Sequence, residues 1–289
     1  RKVFTEMKNF KLLNDTFIHL TNGNKGYTTH GKESKYIKWI HEGEGKQQLT
    51  FTNLTPNDET FYIDRFIPAG LQDNASKKKY GIILECCWLV EPLIQDIKNN
   101  LDKYMNAYDK IFTWSEELCA LHDRICWIPG NGSWIRKPQI YPKDKLISIL
   151  ASNKSHLPGH QQRLHMLDQL KDYAPLFGRG FNEIEYKEDA LADYMFSVAI
   201  ENNDQYFSEK LLDCFLTGTI PIYYGTPSVG KWFNTEGMII LEDSFDIESL
   251  TEDVYYDKMD AVKDNFERAL KMEILEDFIY ENYFNGETK

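Results

Sequence analysis

The stretch "SVAIENNDQYFSEKLLDCFLTGTIPIYYG", residues 197–225, decides the fold. It continues an apolar run, "MFSVAI" (195–200), that reads as a strand and stops at Glu201-Asn202. "SEKLLDCFLTG" (208–218) reads as a helix that starts at Ser208 and ends where Gly218 can serve as its C-terminal glycine. "TIPIYYG" (219–225) is a second strand. Strand, helix and strand in so short a space make a βαβ unit with parallel strands. The end of the first strand, the first helical turn with Glu209 and Lys210, and the end of the second strand then lie on one rim.

The same alternation extends in both directions. "KLISILAS" (145–152), "LFGRG" (176–180) and "GMIILED" (237–243) are strand candidates. "QQRLHMLDQLKDY" (161–173), "KEDALADY" (187–194) and the tail from Thr251 to about Tyr283 are helical in pattern. Upstream, "YGIILECCWLV" (80–90) is an almost continuous apolar run, as expected of a strand buried on both faces and stopped by Glu91-Pro92. A helix over 93–108, a strand at 110–114, a Ser-capped helix at 115–124 and a strand and turn at 125–132 follow. Residues 1–80 are less regular, with short strands expected at 35–40, 48–54 and 60–67. The proline-bearing segment "WIRKPQIYPKD" (134–144) reads as a linker. It divides the chain into domains 1–140 and 141–289, the final helix being a candidate to pack back on the first. The fold class is therefore α/β, in two domains with mostly parallel sheets. Ligands of such sheets sit beyond the carboxyl ends of the strands, and a cleft between domains is the default site.

Composition narrows the function. A net charge of −12 over 289 residues argues against a nucleic-acid partner, which needs a basic stripe. No run of about 18 apolar residues marks a membrane span, and no signal peptide is visible. The sequence begins at Arg1, so an excerpt of a longer protein stays open. Five cysteines, two of them adjacent at Cys86-Cys87, favour a reducing, cytoplasmic setting over a disulfide framework. Asn14, Asn53, Asn74, Asn131 and Asn153 stand in N-x-S/T triplets, which keeps a lumenal, Golgi-type excerpt as the alternative. The histidines lack metal-ligand spacing, so no metal site is expected. The oligomeric state is not legible.

On the rim itself, Lys210 and a helix N-terminus suit a phosphate, and nearby carboxylates suit sugar or ribose hydroxyls. That is the chemistry of a nucleotide-sugar pocket. The competing reading is structural: Glu209 serves the helix dipole, Lys210 is solvated and Glu201 caps a loop. Spacing alone leaves the two level.

The longer stretch "YMFSVAIENNDQYFSEKLLDCFLTGTIPIYYGTP" (194–227) resembles the C-terminal motif of glycosyltransferase family 10, the α1,3/α1,4-fucosyltransferases. That motif runs Tyr-Lys-Phe, a short strand, Phe-Glu-Asn, a gap, Tyr-x-Thr/Ser-Glu-Lys, a helix, then Gly-Thr-x-Pro-Ile/Val. Met195 stands where the family often has Lys, and Ile200 where it often has Phe. The resemblance implies a GT-B fold, two Rossmann-like domains facing a central cleft. It implies inverting transfer of L-fucose from GDP-fucose to a hydroxyl of an acceptor glycan, with no essential divalent metal. It puts Asn202, Glu209 and Lys210 on donor-binding positions, with Glu201 and Tyr206 in the same pocket. Arg163 matches an arginine that pairs with the diphosphate, and Gly178 and Arg179 border the nucleotide. The family's catalytic carboxylate follows a buried strand. Glu91, before Pro92, is the preferred base, and Glu85, an acid inside an apolar run, is its rival. Another GDP- or UDP-sugar donor, and a catalytically silent nucleotide-sugar-binding module, remain alternatives.

Overall fold

The structure, a computed structural model, describes residues 8–13, 30–41, 59–242 and 245–285. The strand expected at 48–54, and Asn14 and Asn53, lie outside them. The chain forms two compact units, Arg1–Asn131 with Ile274–Lys289, and Gly132–Glu273.

In the first unit the elements are β1 (Lys8–Leu13), β2 (Ile37–His41), β3 (Glu59–Ile63), a 3₁₀ turn (Asp64–Phe66), α1 (Ile67–Gly70), β4 (Lys78–Ile83), α2 (Cys87–Asn99), α3 (Leu101–Ala107), β5 (Lys110–Thr113), α4 (Glu116–Cys119) and β6 (Ile125–Trp127). The sheet runs β2-β1-β3-β4-β5-β6, with all neighbours parallel. Phe61, Tyr80 and Phe112, from three adjacent strands, gather around Phe284 from the C-terminal end.

The run 80–90 is not one strand. β4 ends at Ile83, and the buried positions then fall at Cys87, Val90, Ile94 and Ile97, a helical spacing. Trp88 and Leu89, between them, are 50% and 52% exposed. Pro92 does not stop a strand but sits inside α2. It costs that helix one hydrogen bond, because proline has no N–H to donate to the carbonyl one turn back.

In the second unit the elements are β7 (Lys145–Leu150), α5 (Pro158–Leu170), β8 (Leu176–Phe177), α6 (Glu188–Leu191), β9 (Tyr194–Ile200), α7 (Glu209–Phe215), β10 (Ile220–Tyr224), β11 (Ile239–Ile240), α8 (Glu252–Asp257) and α9 (Met259–Leu270). The sheet runs β11-β10-β9-β7-β8, again all parallel. β9 is central and buried along its whole length, which explains its nearly all-apolar sequence, and its one serine, Ser197, accepts from the Ser148 hydroxyl.

The expected boundary at 140/141 moves. Residues 132–140 bind into the second unit: Ser133 Oγ and the Trp134 N–H donate to Asp213, and the Gln139 N–H to the Leu216 carbonyl. The segment 134–144 is therefore no linker. The final helix, α10 (Leu275–Tyr283), belongs to the first unit. Its Asp277 accepts from the Ser34 hydroxyl and the Lys35 N–H, and its Glu276 from the Trp39 indole.

Each unit is thus a Rossmann-like α/β layer of parallel strands and helices. Strand order reverses between β1 and β3 in one and between β7 and β9 in the other. Ligands of doubly wound sheets bind at this reversal, outside the carboxyl ends of the strands.

Candidate donor site and the acids of the first unit

Past Ile200 the chain leaves β9, and the Glu201 N–H still donates to the Tyr224 carbonyl (2.8 Å). Glu201 is 1% exposed. Such a carboxylate needs partners on every side. It accepts from the Ser208 N–H (2.7 Å), the Ser208 hydroxyl (2.7 Å) and Lys210 Nζ (2.7 Å). The acid therefore closes the 202–207 loop back onto the start of α7, where Ser208 is the capping residue. Burial works against the Lys210 charge, but Glu201 and Glu209 outweigh it and hold its pKa above the ordinary lysine value.

Arg163 reaches the same place from α5. It is 5% exposed and donates to Asn202 Oδ1 (2.8 Å) and the Ser152 carbonyl (3.0 Å). Burial lowers its pKa, partly offset by Glu201, yet a guanidinium stays charged. Its Nε is buried without an acceptor. Gly159 permits this approach: a Cβ there would stand 1.8 Å from the Asn202 carbonyl oxygen. Gly178, at φ +112°, starts the turn after β8, and a Cβ on it would strike the Ala151 carbonyl at 2.1 Å.

These pieces border a cavity of about 290 Å³ at the β7/β9 reversal. Arg163, Gly178, Arg179, Glu209 and Lys210 all line it. Glu201, Asn202 and Tyr206 are not lining residues. Glu201 and Asn202 instead hold Lys210 and Arg163 in place.

Sequence reasoning missed Lys187, which also lines the cavity. Its Nζ binds Asp213 Oδ2 (2.7 Å), with Glu209 at 3.9 Å. Burial raises the Asp213 pKa, though Lys187 and Ser133 pull it down. The signal was available: an acid amid the apolar "LLDCFL" (211–216) demands a buried partner. Lys187, Lys210, Arg163 and Arg179 face one lining acid, Glu209, so the cavity suits an anion.

In the first unit the two rival acids separate. Glu91 lies on α2, exposed, and accepts from Gln95 (2.8 Å). The expectation that Glu91 stands at a strand's end does not hold, because β4 stops eight residues before it. Glu85, two residues past β4, lines a cavity of about 550 Å³ with Asp64, Leu89 and Asp96. Burial pushes the Asp64 carboxyl up to about 7; the Leu84 N–H opposes this and the Glu85 charge adds to it.

Comparison with known proteins bears on the second unit. Residues 140–270 match the family model described as "Glycosyltransferase family 10 (fucosyltransferase) C-term". The chain is 35% identical over 104 residues to the alpha-(1,3)-fucosyltransferase FucT of Helicobacter pylori, covering 33% of this chain and 21% of that one. It is 33% identical over 86 residues to the GDP-fucose protein O-fucosyltransferase 3 of Rattus norvegicus, covering 29% of this chain and 17% of that one. The chain thus spans about a fifth of the length of these relatives. A crystal structure of alpha1,3-fucosyltransferase aligns with 95% of this chain and 84% of that one, at a TM-score of 0.49 and 16% identity. No helix among the described residues is long and apolar enough to cross a membrane. The matched span falls inside the Gly132–Glu273 unit, so it is this unit that carries the chain's likeness to glycosyltransferase family 10, the fucosyltransferases.

Proposed function

We propose that the chain is an inverting glycosyltransferase of GT-B type that transfers L-fucose from GDP-fucose to a hydroxyl of an acceptor glycan. The observation that carries this reading is the cavity at the β7/β9 reversal, with buried Arg163 and half-buried Lys210 held there by Asn202 and Glu201. The diphosphate binds to Arg163, Lys187 and Lys210, and Glu209 receives hydroxyls of the nucleotide. The acceptor oxygen attacks the anomeric carbon while a carboxylate of the first unit takes its proton. The bond to the diphosphate breaks through an oxocarbenium-like state, and the basic side chains stabilise the departing charge. No divalent metal is assigned a part. Geometry favours Glu85 over Glu91 as the base, because it stands at a strand's carboxyl end and faces a cavity. Five free thiols suit a cytoplasmic setting.

A second acceptor class has a specific motive. Some relatives are named protein O-fucosyltransferases, so a polypeptide hydroxyl is the alternative acceptor. A panel of GDP- and UDP-sugars, assayed in EDTA for release of nucleotide with glycan and peptide acceptors, tests the reading. GDP-fucose should be consumed at least about tenfold faster than any other donor, a discrimination of about 1.4 kcal/mol. Preference for a UDP-sugar sinks the fucosyl assignment. Donor binding with no turnover on any acceptor supports a silent module.

A further inference from the structure

Asp64 is the one non-glycine residue with positive φ (48°) among the described residues. Aspartate tolerates left-handed backbone better than most residues, but it does not choose it freely. Conformations imposed in this way gather at functional sites. Here the imposed turn follows β3 and brings the Asp64 carboxylate to the exit of β4. Asp64 Oδ1 accepts the N–H of Leu84 (2.7 Å) and of Glu85 (3.2 Å). From beyond β5, the Trp114 indole donates to the Glu85 carbonyl (3.1 Å). The peptide groups on both sides of Glu85 are thus tied to the two flanking strands. Its side chain shares a cavity with Asp64, Arg65, Leu89, Leu93 and Asp96.

We propose that Asp64 is a positioning residue: it holds the β4–α2 turn by those two amides and so fixes the Glu85 carboxylate at the cavity. The inference rests on Glu85 acting as the base. A base held by a loose loop loses the geometry that makes it effective, and a misplacement of about 1 Å can cost about a hundredfold in rate.

Three variants of the full chain test this, read by GDP release from GDP-fucose. Asp64→Gly keeps the left-handed turn and removes the acceptor. Asp64→Asn keeps the turn and an amide oxygen that can accept both N–H groups. Glu85→Gln removes the base. Asp64→Gly should lower kcat at least about thirtyfold with KM for GDP-fucose within about twofold, while Asp64→Asn stays within about threefold of wild type. Amide exchange at Leu84 and Glu85 should quicken only in Asp64→Gly. Where the glycine variant does not fold, Asp64→Ser, whose hydroxyl cannot span both amides, carries the same expectation. Wild-type kcat in Asp64→Gly, or equal losses in Gly and Asn variants, overturns the positioning role while a dead Glu85→Gln leaves the base reading standing. Wild-type turnover in Glu85→Gln overturns both.

Discussion

Glu85→Gln is expected to reduce turnover of GDP-fucose about a thousandfold, within the range a general base supplies. Glu91→Gln is expected to stay within about threefold of wild type, because its carboxylate is solvated on the outer face of α2. Donor affinity should not move in either variant, since both acids lie in the first unit and the donor cavity is lined by the second. Steady-state kinetics beside a GDP titration separates the two effects. A collapse in Glu91→Gln with an active Glu85→Gln would reverse the assignment and leave the 550 Å³ cavity without a catalytic part.

Lys210→Met should be costly in two ways. It strands Glu201, whose side chain is 0% exposed, as an unpaired buried charge. Breaking such a pair from one side costs about 3–5 kcal/mol. The raised pKa of Lys210 means that its ammonium persists across the neutral range. A raised lysine pKa adds stability that is present below the ordinary lysine value and lost only as pH rises through the folded value, so the pair is intact wherever the protein would be assayed. The same substitution removes a cation from the leaving diphosphate, a loss of about a hundredfold or more in kcat. The double variant Glu201→Gln/Lys210→Met distinguishes the roles. It should recover most of the melting temperature, because no charge is left stranded, and none of the turnover. Recovery of both, or of neither, would mean that the pair does not divide its work between holding the loop and serving the donor.

Much of the second unit was legible because its signals are local. "MFSVAI" has the largely apolar character of a central parallel strand, and β9 is buried end to end. "IENNDQYFSEK" set its charges at the ends of two elements, where the structure finds Glu201, Ser208 and Lys210 joined. What failed depended on contacts distant in sequence. The run 80–90 hides a change of period at Ile83, and apolarity alone cannot separate a buried strand from a buried helix start. The boundary at 140/141 was drawn from two prolines, whereas Ser133 and Trp134 reach Asp213 some eighty residues on. Glu91 gained its preference from that misread strand, and the proposal turns to Glu85 because β4 ends at Ile83. Lys187 announces itself only through the partner that Asp213 needs. Asp64 carries no sequence signal of its role, since the amides it accepts from, those of Leu84 and Glu85, lie about twenty residues on in the chain.

On the proposed function, the cavity lined by Arg163, Lys187 and Lys210 holds the diphosphate of a guanosine nucleotide. Calorimetric titration of GDP and UDP into wild type and Arg163→Ala tests it directly. GDP should bind wild type with Kd at least about tenfold below that of UDP, and Arg163→Ala should weaken GDP by about tenfold or more, a charged hydrogen bond being worth about 1.5–3 kcal/mol. GDP binding that Arg163→Ala leaves unchanged, or UDP binding as tightly as GDP, would contradict it.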